Sequence, residues 1–335
     1  MRKIISVLMC FSLTIAATVG AQQLEKVRTN SISFYTGFSI YVADQMGFFK
    51  KYGIDTEPKW FPSGAPIIQG AASGQWDMTF LGAPPAVLGG PQLKLLTVGV
   101  VLEEAPTHIL VGRADFVASA KADPGKVRNA QIFVTTLSTG HYMTESCLKK
   151  MGLTQQQVRL VPSEQAATVS AFAAGQGDLA QVWPPQSTAL ISRGAVPLCD
   201  AREAGVSIPS VWVAHPDFVA KRPDLVVKWL RANLDAIAWM KQDEARTFDL
   251  YKKYDAFRGF NTPEDTLRAE SKLAMSAMGA TEQLKYMRTS AGGAPSELAK
   301  AYTDIGGFFM RVGRIKEVPD YRPFLSTSFL EQAVK

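Results

Sequence analysis

The sequence predicts an α/β protein of two lobes. Three observations carry this: short β-branched or apolar runs alternate with helical segments from Val27 onward, 335 residues exceed one ordinary domain, and a motif recurs about 100 residues after its first appearance.

Ser31 to Phe34 reads as the first strand. The polar, glycine-containing turn Thr36-Gly37-Phe38-Ser39 follows, then a helix from Ile40 to Tyr52 that Gly53 stops. A second strand ends near Phe61, and Pro62-Ser63-Gly64-Ala65-Pro66 turns into a helix that Gly74 terminates. Met78 to Leu81 forms a third strand, and Gly82-Ala83-Pro84-Pro85 opens another helix. The same order then returns. Pro62-Ser63 leads through an alanine-rich helix to Gly74-Gln75-Trp76-Asp77, an apolar strand and Pro84-Pro85. Pro162-Ser163 leads likewise to Gly175-Gln176-Gly177-Asp178, an apolar strand and Pro184-Pro185. One Gly-x-x-Asp is an ordinary helix-to-strand connector, but two copies flanked by matching prolines imply two similar lobes with loops at the carboxyl ends of their strands.

The chain is expected to cross between lobes after two strands, Ile109 to Arg113 and Val211 to Ala214. The crossings fall at Ala114 to Pro124 and at His215-Pro216-Asp217. The expected division is therefore 1–21 as a leader, 22–113 with 215–335 as lobe one, and 114–214 as lobe two. Pro223 to Tyr254, Pro263 to Tyr286 and Pro295 to Arg311 carry helical periodicity, each opened by proline, and are expected to pack on lobe one. This lobe order permits closure about a hinge.

Arg2 and Lys3 precede an apolar run from Ile4 to Val19, and Val19-Gly20-Ala21 supplies the small residues of a signal peptidase site. The segment is expected to direct export to the periplasm, with the mature chain starting near Gln22. Cys10 lies inside the apolar run, where it does not serve lipid attachment. The longest later apolar stretch, Leu93 to Leu102, is about half of the roughly 20 residues a membrane span needs. The 36 Lys and Arg against 30 Asp and Glu give +6, or +4 without Arg2 and Lys3, and these charges are scattered. No basic patch interleaved with aromatics points to nucleic acid.

After cleavage only Cys147 and Cys199 remain, and they either pair or sit as separate buried thiols. His108, His141 and His215 are isolated from one another and from both cysteines, so no metal or other cofactor is expected. There is no phosphate loop of the Gly-x-x-x-x-Gly-Lys-Ser/Thr type. Ser138 and His141, three residues apart at one helix start, lack the geometry and the acid of a catalytic triad.

Several stretches resemble the periplasmic binding proteins for taurine, aliphatic sulfonates and nitrate, a family that includes pyrimidine-precursor binders. They are Ser138-Thr139-Gly140-His141-Tyr142 after strand Ile132 to Thr135, Val182-Trp183-Pro184-Pro185, Gly82-Ala83-Pro84-Pro85-Ala86-Val87, Phe61-Pro62-Ser63-Gly64, and Val211-Trp212-Val213 with Asp217-Phe218. The resemblance implies a type II periplasmic binding fold, two α/β lobes joined by a hinge with a ligand cleft between them. It also implies a monomeric solute-binding component that delivers a small organic anion to the permease and ATPase subunits of an ABC importer.

The site implied by the resemblance gathers turns that lead into helix starts, whose first N–H groups lack intrahelical partners and carry the positive end of the helix dipole. Thr36, Gly37, Ser39, Ser63, Gly64, Ala83, Pro84, Ser138, Thr139 and Gly140 lie on those turns. Each hydroxyl has a second reading as a helix N-cap. Trp183, Phe38 and Tyr142 either wall the ligand or belong to the core, and they admit an aromatic ligand body. His141 and His108 are either donors to an anion or structural histidines.

Two departures concern the ligand. Where taurine binders carry a serine pair after the third strand, this chain has Ala83-Pro84, and where they supply an aspartate before the return strand it has Ser210. A buried ammonium without a carboxylate is costly. The expected ligand is therefore a sulfonate or carboxylate without a cationic amine, unless Glu103 or Glu104 turns inward and restores the missing charge. Two further readings keep the fold but change the role: a neutral heteroaromatic ligand such as a thiamine-pyrimidine precursor, or a periplasmic sensory subunit.

Overall fold

The computed structural model describes residues 23–290 and 292–335, so the expected leader lies outside the described residues. In chain order β1 is Thr29–Ile32, α1 Phe38–Gln45, β2 Lys59–Phe61, α2 Gly64–Ala71, β3 Met78–Gly82, α3 Ala83–Leu93 and β4 Leu96–Glu103. The chain then crosses to β5 Ile109–Gly112, β6 Gln131–Val134, α4 Thr139–Lys150, β7 Arg159–Pro162, α5 Gln165–Ala173, β8 Leu179–Val182 and β9 Val196–Asp200. It returns as β10 Pro209–Ala214. The helices α6 Pro223–Gln242, α7 Glu244–Phe257, α8 Glu264–Met275, α9 Ala280–Met287 and α10 Glu297–Arg311 follow.

The strands form two five-stranded sheets with one plan, in the orders β2-β1-β3-β10-β4 and β7-β6-β8-β5-β9. Within each, the first three strands are parallel. The fourth is antiparallel to both neighbours. The repeat around Pro62 and Pro162 thus corresponds to a repeated sheet. The antiparallel strand of each sheet arrives from the other lobe. Ile109–Gly112, expected in the first lobe, pairs into the second sheet, and Pro209–Ala214, expected in the second, pairs into the first. Both crossings consequently precede the strand they were expected to follow, and residues 114–122, expected as a hinge, are helical.

Three of the expected long helices are broken: Pro263 to Tyr286 divides into α8 and α9 between Met275 and Ala280, and in the other two the break lies at an identifiable residue. Gly47 takes φ +73°, a left-handed backbone that glycine reaches without steric cost, and ends the first helix before a second short turn at Phe48–Lys51. Asp243 separates α6 from α7 by accepting the Arg246 N–H on its side chain, an N-cap inside the expected Pro223 to Tyr254 helix. α6 packs on α1, α9 on β4 and α10 on α3, so the C-terminal helices cover the first sheet as expected. Cys147 on α4 and Cys199 on β9 form a disulfide with their Cα atoms 6.2 Å apart, which settles the choice between pairing and separate thiols. Among the described residues no helix is long and apolar enough to cross a membrane.

Candidate functional site

A cavity of about 40 Å³ lies between the two sheets, at the carboxyl ends of their parallel strands. That is room for only a few waters, so the lobes stand nearly shut. From the first sheet come Phe34, Tyr35 and Thr36 beyond β1, Ser63 and Gly64 at the start of α2, and Gly82 and Pro85 around the start of α3. From the second come Ser138 and Thr139 at the start of α4, and Trp183 beyond β8. Glu104 and His108 reach it from the first crossing. The starts of three helices, from both lobes, therefore converge on one space, and among the described residues no Lys or Arg lines it.

Each wall has a local cause. Ser138 is extended, φ −96° and ψ 174°, and caps α4: its Oγ accepts from Gly140 N at 3.1 Å and His141 N at 3.3 Å, and donates to Thr135 O at 2.6 Å. Its hydroxyl is therefore spent on the helix. Leu137 before it holds φ +59°, a left-handed conformation uncommon for a branched side chain that turns the chain sharply from strand to helix. Opposite, a β-carbon on Gly82 would stand 2.7 Å from Thr139 Cγ2, so glycine at the end of β3 lets the two lobes touch. The Trp183 ring meets Phe34 edge-on at 5.5 Å and lies 5.4 Å from the His108 ring. Its indole N–H has no acceptor among the described residues.

His108 Nδ1 lies 3.3 Å from the Glu104 carbonyl, and Nε2 lies 2.7 Å from Thr139 Oγ1. With Nδ1–H directed at that carbonyl, Nε2 accepts from the Thr139 hydroxyl. Burial holds the imidazole down to about 4, so it is neutral at ordinary pH. Glu104 behaves oppositely: burial, against the opposing Ser210 hydroxyl, raises its carboxyl to about 8, with Glu103 repelling it further and Tyr35 opposing. The Tyr35 hydroxyl donates toward Glu104 Oε2 at 3.3 Å and also lies 2.9 Å from Thr107 Oγ1. Two further contacts also join the lobes. Ser63 Oγ donates to Glu164 Oε1 at 3.1 Å, and Arg311 at the end of α10 grips Glu145 of α4 with two bonds of 2.7 and 2.9 Å.

The NMT1/THI5 like family matches residues 36–246, which is more than half of the chain. The chain belongs to this family. It is 30% identical over 210 residues to the taurine-binding periplasmic protein of Escherichia coli, a stretch covering 59% of this chain and 63% of that protein, just under two thirds of its length. It is 23% identical to a putative aliphatic sulfonates-binding protein of Bacillus subtilis, over 88% of this chain and 85% of the relative. Among solved structures, the periplasmic aliphatic sulphonate binding protein of Escherichia coli superposes with TM-score 0.72 at 16% identity, covering 90% of this chain and 92% of the other. The periplasmic nitrate-binding protein of Synechocystis PCC 6803 superposes with TM-score 0.70 at 13% identity, covering 93% and 89%. These likenesses show the fold to be that of periplasmic binding proteins, and the relatives named are binding proteins and not enzymes.

In this NMT1/THI5 like chain, seven of the expected site residues line the cavity: Thr36, Ser63, Gly64, His108, Ser138, Thr139 and Trp183. The other nine do not. Phe38 is a core residue, 4.8 Å from the Tyr251 ring and 5.3 Å from that of Tyr254, because the first turn of α1 faces α7. Ser39 is buried beside it, and Gly37 forms the tight turn over Ile32. Ala83 and Pro84 are the buried first two residues of α3, which leaves Pro85 at the wall. Gly140 packs under Gln181.

His141 meets Phe308 of α10 edge-on at 5.1 Å; its Nδ1 accepts from Leu137 N and its Nε2 reaches Gln155. Tyr142 lies on the same side, 5.5 Å from Phe308. The aromatic wall is thus Trp183 and Phe34, not Phe38 and Tyr142. Ser210 is fully buried on β10, its Oγ 3.4 Å from Leu102 O. Of the two acids named as able to turn inward, Glu103 is held by Ser207, Ile208 N and Tyr286, while Glu104 lines the cavity. The condition that excluded an amine is therefore not met.

Tyr35 and Phe34 had no motif to announce them. Their only signal was their place between the first strand and its turn.

Proposed function

We propose that the chain is the exported solute-binding component of an ABC import system. It captures a small organic anion, a sulfonate or carboxylate, between its lobes and delivers it to a membrane permease. The observation that carries this is the convergence of three helix starts from both lobes on one space that, among the described residues, no lysine or arginine lines, where the positive ends of the helix dipoles favour an oxyanion. The names of the relatives, taurine, aliphatic sulfonate and nitrate binders, support the same ligand class. Entry of even a two-carbon sulfonate requires the lobes to part, which supports capture by closure. A binding role without catalysis fits the site, since the Ser138 hydroxyl is committed to Thr135 and α4, and the His141 ring to Leu137 and Gln155.

A thermal-shift screen of the purified protein against sulfonates, nitrate, carboxylates and thiamine precursors tests the reading. A ligand at about 100 times its Kd stabilises by roughly 2.7 kcal/mol. Stabilisation by an anion class is the expected result. Stabilisation by neutral heteroaromatics alone would replace the anion with that ligand class.

A further inference from the structure

The cavity wall has two chemically different parts. One is formed by the starts of α2 and α4, at Ser63 and Thr139. The other holds Glu104, a carboxyl only 7% exposed, in the first crossing. An acid in a cavity built for an anion is a contradiction unless its charge is answered. Among the described residues it has no ion-pair partner, and the charged or titratable groups facing it are Glu103, Tyr35 and the neutral His108.

The hydrogen bonds around it are those of an acceptor. Thr107 Oγ1 spends its proton on the Glu104 carbonyl at 2.9 Å, so the nearby Tyr35 hydroxyl is free to donate and points its proton toward Thr107 and Glu104 Oε2. A neutral glutamine would fill this space without the desolvation that an ionisable group incurs. Without a positive neighbour the carboxyl stays protonated at neutral pH, and the one remaining source of a counter-charge is the ligand.

We propose that Glu104 is a specificity-determining residue that recognises a protonated amine, and that the ligand is a small zwitterion with its anionic group at the helix starts and its ammonium at Glu104. This rests on the small-anion reading above and narrows it. Because the carboxyl is held up near 8 in the unliganded site, an arriving ammonium drives it to ionise. At pH 7 binding then releases about one proton. A simple anion of the same length offers nothing to Glu104 and leaves it protonated.

The test is titration calorimetry of the full mature chain with taurine and with ethanesulfonate, which differ by the amine, in buffers of different ionisation enthalpy. Taurine is expected to bind at least about tenfold more tightly, as a charge-assisted bond to a buried partner provides. Its enthalpy is expected to vary with the buffer, as release of a proton requires. In Glu104→Gln the ratio of the two affinities is expected to fall to about one and the buffer dependence to vanish. The wild-type buffer dependence stands even where the variant fails to fold. Ethanesulfonate binding as tightly as taurine, or taurine binding without proton release, would overturn the role of Glu104 and leave the small-anion reading in place. Binding of neither compound, nor of any anion in the screen, would remove that reading and this inference with it.

Discussion

His108 Nε2 accepts the Thr139 hydroxyl at 2.7 Å, tying the first crossing to the start of α4 across the cavity. Burial keeps the imidazole neutral by holding the ring down to about 4, so Nε2 accepts here, whereas a protonated ring would have to reverse the bond and donate. A folded value below the unfolded one near 6.5 means that the contribution is complete above pH 6.5 and is lost as pH falls through 4. This loss amounts to as much as roughly 3 kcal/mol. Melting curves between pH 7 and 4 should show it, and His108→Gln should show a shallower acid slope. An unchanged slope would remove His108 from the account.

Glu104 should act in the opposite direction. Its folded value near 8 lies above the ordinary 4.5, so its contribution is complete below pH 4.5 and declines as pH rises through 8. Unliganded Glu104→Gln should therefore match the wild type at pH 4.5 and exceed it at pH 8, by at most about 4 kcal/mol. Chemical denaturation at the two pH values measures the difference. Equal stability at both would mean that the carboxyl is better solvated than its surroundings imply.

Ser138 and Thr139 are adjacent but do different work. Ser138→Ala removes the cap of α4 and should cost ~1 kcal/mol of stability. Thr139→Val keeps the shape, removes the bond to His108 and should weaken ligand binding by about tenfold with a smaller loss of stability. Denaturant midpoints and calorimetry on the same two proteins separate the effects. Equal losses in both readouts would refute the division.

The disulfide closes a loop spanning 52 positions, from the middle of α4 to β9 in the second lobe. Loop entropy for that length corresponds to about 4 kcal/mol. Cys199→Ser should lower the denaturant midpoint accordingly, and a reducing agent should do the same to the wild type and nothing further to the variant.

Much of this arrangement is legible in the sequence. The repeat of Pro62-Ser63 and Pro162-Ser163 announces two sheets of one plan, because equal spacing of turn residues forces equal element lengths. What was not legible is which sheet a strand joins. Ile109–Gly112 and Pro209–Ala214 are short apolar runs that would be buried equally well in either lobe, so the exchange leaves no mark on their composition.

The direction of Glu104 was hidden for a related reason. Alternation along β4 assigns Glu103 and Glu104 to opposite faces, but the pairing with β10 slips beside Ser210 and Val211, and one slipped residue reverses the assignment. Phe38 and Tyr142 were misplaced because a residue in the first turn of a helix can face the cleft or the layer behind it. Which of these it does depends on α7 and α10, more than 150 residues further along the chain.

The two crossings run side by side. Glu104 N bonds to Ile208 O at 2.9 Å and Ala201 N to His108 O at 3.2 Å, so the second lobe hangs like a door on two pins set close together. If the lobes part as proposed, these paired segments are the pivot, and Glu104 and His108 lie in one of them. A ligand that pushes or pulls there acts with a short lever on surfaces that move with a long one. A small turn about such a pivot would carry the outer rims of the lobes furthest.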